Sequence, residues 1–214
     1  RFGKTGGFGG GKKGGGKMLI IKLVAFFSGA VLMGLEIVGS RVLAPFFGNS
    51  IFVWASLISV FLTALTLGYF WGGKLADKYP FYNFLSLLII TSGVFIFIIP
   101  FIQEPVNDLI FQADFGQKLN PLISATILFL IPSILIGGIS PFAVKMSVKS
   151  VETIGNVAGN IYAISTIGSI FGTLFCSFYL IPAIGTKLII NLLGLTLLAL
   201  GVVVVLYNKL LHRA

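Results

Sequence analysis

MLIIKLVAFFSGAVLMGLEIVG, the stretch from Met18 to Gly39, holds one carboxylate, Glu36, in an otherwise almost wholly apolar run. Its 22 residues suffice to cross a bilayer core about 30 Å thick. Five further stretches of similar length follow: Ile51–Gly72, Tyr82–Ile102, Pro121–Ile139 (interrupted by Pro132), Val157–Ile181 and Lys187–Tyr207. Every acid other than Glu36, namely Asp77, Glu104, Asp108, Asp114 and Glu152, falls between spans. The expectation is an all-α integral membrane protein of about six transmembrane helices. Composition points the same way: 57% hydrophobic and 10% charged residues, with a mean hydropathy of +1.04, leave too few charges to clothe a soluble surface.

The formal charge of +9 is inflated by the start of the chain. Arg1 to Lys17 hold five of the fifteen basic residues, nine glycines and no acid. This segment reads as a flexible leader, a tag, linker or mis-assigned start, ahead of a membrane domain over 18–208 and a short basic tail over 209–214. Gly11 to Met18 approach a phosphate loop but lack the Ser or Thr that would follow Lys17, and no strand precedes them. The first apolar run is longer than the core of a signal peptide and reads as a retained span. The remaining basic residues are scattered over short loops, which argues for an orientation signal and against nucleic acid as a partner. Cys176 is the lone cysteine, so neither a disulfide nor a thiolate metal cluster is expected, and no cofactor is called for.

Orientation follows from the basic residues. With six spans, Lys17, Lys22, Lys74, Lys78, Lys145, Lys149, Lys209 and Arg213 share one side. The other side collects Arg41, Lys118 and Lys187 with Glu104, Asp108 and Asp114. Both termini are therefore expected in the cytoplasm of a cell whose inner membrane holds the protein.

Spacing suggests an internal repeat. Ser56, Ser59, Thr63 and Thr66 line one face of the second span, and Thr166, Ser169, Thr173 and Cys176 repeat that spacing in the fifth. Gly48-Asn49 and Gly155-Asn156 precede the two spans. Spans one to three and four to six would then be inverted copies, a 3+3 design that places ligand sites between the copies. The hydroxyls, with Asn160 and Tyr162, are candidates for a polar path; the plainer reading is that each bonds a carbonyl one turn back. Gly155/Gly159 and Gly168/Gly172 allow close helix packing, within the chain or at a homodimer seam.

A carboxylate in lipid is costly, so Glu36 calls for a partner or a role. One reading pairs it with Arg41 at the outer end of span one, helped by a break at Gly39-Ser40 ahead of Pro45. The other makes it a proton or cation site. Nothing in the sequence assembles a nucleophile with a base, or a metal-ligand cluster.

Gly72-Gly73-Lys74-Leu75-Ala76-Asp77-Lys78 resembles the loop signature between spans two and three of the major facilitator superfamily, departing from it at Tyr79-Pro80-Phe81. That resemblance implies half of a facilitator-like bundle, with Gly73, Asp77 and Lys78 as a loop gate in which Asp77 caps a helix or pairs with a lysine. A longer resemblance runs through Gly34–Gly48, Val53–Ile58, Leu67–Asp77, Ser140–Lys145, Gly159–Ser169 and Leu180–Thr186. These segments are similar to the membrane domain of fused spermidine-synthase-like proteins. The resemblance implies a membrane anchor or partner of a separate aminopropyltransferase-like subunit, since nothing here resembles that enzyme's own domain. The alternative is a small secondary transporter, for a polyamine or another cation, working as a dimer of six-helix halves.

Overall fold

A computed structural model describes residues 11–148 and 150–213, with side chains over 16–148 and 150–210. Six long helices follow one another: α1 (Gly11–Phe47), α2 (Ile51–Lys78), α3 (Tyr82–Ala113), α4 (Leu119–Ser147), α5 (Val151–Ala183) and α6 (Thr186–Arg213). All six are long and apolar enough to cross a membrane, and no strand occurs among the described residues. The protein is a multi-pass helical bundle whose solvent is lipid.

Several boundaries differ from expectation. α1 begins at Gly11, so part of the expected leader is helical; extending an existing helix costs far less than starting one. Residues 1–10 lie outside the described residues. α1 also runs on through Gly39 and Ser40 to Phe47, with Pro45 inside its last turn. A proline so near a helix end forfeits little of the hydrogen-bond ladder, and the expected break does not form. α3 likewise runs past the expected end of its span at Ile102, through Gln103 to Ala113. Gln103 and Asn107 are buried there, and the Asn107 amide donates to the Val42 carbonyl at 3.4 Å. α5 opens on a 3-10 turn at Val151–Thr153 and widens to a π-helical stretch at Cys176–Leu180, just before Pro182.

α1 and α4 form the centre. α1 packs against all five other helices, and α4 touches α1, α2, α3 and α5. Fully buried Leu35, Leu43, Leu57, Phe61, Phe129 and Phe142 fill the space around them.

The packing repeats with the halves exchanged. Substituting α1 for α4, α2 for α5 and α3 for α6 turns the α1–α5 contact into α4–α2, α3–α4 into α6–α1, and α1–α2 into α4–α5. The α3–α6 and α1–α4 contacts map onto themselves, and only the minor α1–α3 contact lacks a counterpart of similar size. Glycines give the register. A methyl group at Gly68 would lie 2.5 Å from the Ile134 carbonyl oxygen, and one at Gly72 would lie 2.5 Å from Gly138 Cα. In the other half, methyls at Gly168 and Gly172 would collide with the carbonyls of Phe26 and Ala30. On the axis itself Gly93 and Gly194 face each other, each approaching the other's carbonyl. Three separate helix pairs thus agree on one two-fold relation between halves that cross the membrane in opposite senses. The matched positions are Gly68 with Gly168 and Ile134 with Phe26. The hydroxyl register expected from the sequence, Ser56 with Thr166, is not the one that packs; Thr66 is the true counterpart of Thr166.

Two ion pairs mark the ends of the bundle. Asp77 and Lys145 meet at 2.6 Å, tying α2 to α4, and Glu104 and Lys187 meet at 2.8 Å, tying α3 to α6. Both pairs are about half exposed or more, so each stabilises by about 1 kcal/mol at most.

Candidate functional site: a hydroxyl-lined groove on the two-fold axis

α2 and α5 stand on either side of α1 and α4 without packing on each other to any extent. Between them lies a cavity of about 110 Å³, floored by Ser28, Gly29 and Leu32 of α1 and by Ile136, Gly137 and Ser140 of α4. Leu65 and Tyr69 of α2 form one wall, and Tyr162, Ser165, Thr166 and Ser169 of α5 form the other. In the glycine register these residues are counterparts: Ser28 with Ile136, Gly29 with Gly137, Leu32 with Ser140, Leu65 with Ser165, and Tyr69 with Ser169. The cavity therefore straddles the axis relating the two halves. Its symmetry stops at the backbone. In three of the five pairs a serine on one side faces an aliphatic residue on the other.

Three of the hydroxyls have a definite polarity. Ser28 Oγ donates to the Val24 carbonyl at 2.6 Å, and Thr166 Oγ1 to Tyr162 at 2.9 Å. Ser169 Oγ reaches the carbonyls of Ser165 at 3.1 Å and Gly29 at 3.3 Å. A hydroxyl has one proton and two lone pairs. With the protons committed to the backbone, what these three offer the cavity is lone pairs. Tyr69, Ser140, Tyr162 and Ser165 add hydroxyls that can donate as well as accept, so the lining as a whole is polar, uncharged and able to do both.

Tyr162 also lines a second cavity of about 530 Å³ that carries the groove toward the Asp77 end. Gly73, Ala76, Asp77, Pro141 and Lys145 surround it. The expected loop gate is thus partly assembled: Gly73 and Asp77 face this mouth, and Asp77 holds a lysine instead of capping a helix. Lys78 turns elsewhere, its ammonium 5.2 Å from the Tyr79 ring centroid.

Glu36 and Arg41 are not brought together. Among the described residues the acid–base contacts are Asp77–Lys145 and Glu104–Lys187. The unbroken α1 points residues five apart about 140° away from each other, and Arg41 is exposed. Glu36 is half-buried and follows Leu32 by four residues and Met33 by three. That spacing keeps it on the helix face that floors the cavity, one turn beyond it toward the Glu104 end.

The expected polar path is divided by the fold. Tyr162, Thr166 and Ser169 line the groove, while Asn160 lies in a separate cavity nearer the end of the bundle. Ser56 is buried and bonds the Phe52 carbonyl at 2.7 Å, and Thr66 and Thr173 bond carbonyls one turn back. Ser59 and Thr63 are exposed on α2. Sequence reasoning passed over Ser28, Tyr69 and Ser140. Tyr69 was within reach, three residues beyond Thr66 on the same stripe; Ser28 and Ser140 needed the helix pairing. Gly168 and Gly172 pack inside the chain, and Gly155 and Gly159 face open space. Among the described residues no three His, Cys, Asp or Glu side chains converge.

No family model matches the chain, and no curated protein and no solved structure matches it either. Three of the segments quoted from the sequence reach the cavity. Leu67–Asp77 contributes Tyr69, Ser140–Lys145 contributes Ser140, and Gly159–Ser169 contributes four wall residues, while Gly34–Gly48 contributes none.

Proposed function

We propose that this chain is a membrane-embedded binding unit of the secondary-transporter type, taking a small organic cation into the groove between its inverted halves. The hydroxyl-lined cavity on the two-fold axis carries this reading, because inverted repeats hold their solutes at that interface. Hydroxyl lone pairs and the faces of Tyr69 and Tyr162 suit an ammonium group, and Glu36 supplies the compensating charge. The small cavity admits one such group, and the larger one beyond Tyr162 admits the rest of an extended amine. Two copies placed groove to groove would enclose the path and rebuild a twelve-helix body of facilitator type.

The test is uptake and binding of a labelled polyamine, such as putrescine, by the full chain in proteoliposomes. Glu36→Gln is expected to abolish uptake while leaving the folded yield intact, because a neutral amide inserts more readily than a carboxylate. Ser165→Ala with Ser169→Ala is expected to weaken binding about tenfold. Wild-type binding in all these variants would discard the reading.

A second reading keeps the resemblance to spermidine-synthase-like membrane domains, which rests on the same groove-forming segments. In it the chain anchors a separate aminopropyltransferase-like subunit, and the groove receives that enzyme's amine. Co-purification of such a subunit with the chain, together with amine binding but no uptake, would favour it.

A further inference from the structure

A third cavity, of about 360 Å³, lies at the Asp77 end between α1, α4 and α5, and unlike the small cavity on the axis it is lined by a cationic side chain. Among the described residues Lys22 is the ionisable one that lines it, with Ser147, Ser150, Thr153, Asn156 and Asn160 around it. No salt bridge among the described residues engages the half-buried Lys22 ammonium. Ser147 is 5% exposed, yet its hydroxyl has no hydrogen-bond partner among the described residues. A buried hydroxyl left unpaired costs about 1–3 kcal/mol unless something else takes its proton. The cavity also adjoins the start of α5, where the helix dipole is positive. Glu152 lies on that first turn but is exposed and does not line the cavity.

We propose that this cavity binds a phosphate group at the end of the bundle rich in basic residues, with Lys22 as counter-charge and Ser147 and the two asparagine amides as donors. An ammonium, a free hydroxyl and amide donors at a helix start are what a phosphate monoanion or diester requires. The site opens where lipid headgroups lie, so the phosphate belongs either to an anionic phospholipid or to a free solute, and the experiment separates the two. It does not depend on cation binding in the groove.

The full chain in detergent is titrated with phosphatidylglycerol, and separately with inorganic phosphate, and occupancy is read by native mass spectrometry. Lys22→Gln is expected to reduce phosphatidylglycerol occupancy about tenfold, the loss of one charge-assisted hydrogen bond. Ser147→Ala should reduce it several-fold without loss of folded protein, since it removes an unsatisfied group. Lys74→Gln, at the same end but with its ammonium 4.0 Å from the Phe70 ring centroid, should change nothing. Phosphatidylglycerol binding that inorganic phosphate does not displace assigns the site to lipid; binding and displacement by inorganic phosphate assign it to a solute. Equal losses in Lys22→Gln and Lys74→Gln would mean unspecific attraction to basic residues and would overturn the proposal, as would undiminished occupancy in both Lys22→Gln and Ser147→Ala.

Discussion

The seam between α2 and α4 and the seam between α5 and α1 are related by the two-fold axis, and they are built differently. Both close on glycines one turn apart, Gly68 and Gly72 in one, Gly168 and Gly172 in the other. α2, however, also buries Val53, Leu57, Val60, Phe61 and Ala64 along its length. Over Ile154–Phe175, α5 buries only Ile161 besides its two glycines. One helix is held by backbone contact plus a column of large side chains, the other by backbone contact with few buried side chains beside it. In a bilayer the exposed apolar side chains of α5 cost nothing, because lipid solvates them as well as a neighbouring helix does. The lesson is that shared architecture does not entail shared energetics. α5, which supplies most of the groove's hydroxyls, is the more weakly held wall.

The comparison can be broken at its common feature first. Leucine at Gly168 or at Gly68 would force a side chain into a neighbouring backbone that cannot rotate away. Either substitution is expected to cost about 3 kcal/mol or more and to leave little monodisperse protein on size-exclusion chromatography. A tolerated Gly168→Leu beside a damaging Gly68→Leu would show that the α5 seam is not closed in solution.

The asymmetry is tested by aromatic truncation. Phe61 is fully buried on α2, 5.9 Å from the Phe129 ring centroid, and Phe61→Ala is expected to cost about 3–5 kcal/mol in a thermal or denaturant midpoint. Phe171 on α5 is about half exposed, so Phe171→Ala should cost less than about 1 kcal/mol. Equal costs would remove the distinction between the two seams.

A smaller effect is expected at the end of the α2 seam. Asp77→Asn should lower stability by no more than about 1 kcal/mol, with the double variant Asp77→Asn, Lys145→Gln no worse than either single change. If Asp77 and Lys145 guard the mouth of the groove, that same pair of changes should alter solute entry far more than stability. The smallest effect belongs to α5. Gly159 faces open space inside a helix, so Gly159→Ala should stabilise by about 0.5–1 kcal/mol; a loss would reveal a partner packed there.

Much of this protein was legible along the chain. Six apolar stretches, a lone intramembrane acid and a glycine pair at helical spacing determined the span count and the helical class, and suggested a repeat. Lipid makes that reading simple, since any segment crossing it must satisfy its own backbone hydrogen bonds and must be apolar nearly all round. What the chain could not declare was which faces meet, because helices apolar all round carry no stripe that names a partner. Only the packed bundle decided that Gly68 answers to Gly168, that Glu36 and Arg41 stay apart, and that Ser28, Tyr69 and Ser140 join Tyr162 and Ser169. The physical reason is that helix pairing in a membrane is settled by where backbones can approach closely, a property of two surfaces at once, while hydropathy is a property of one residue at a time.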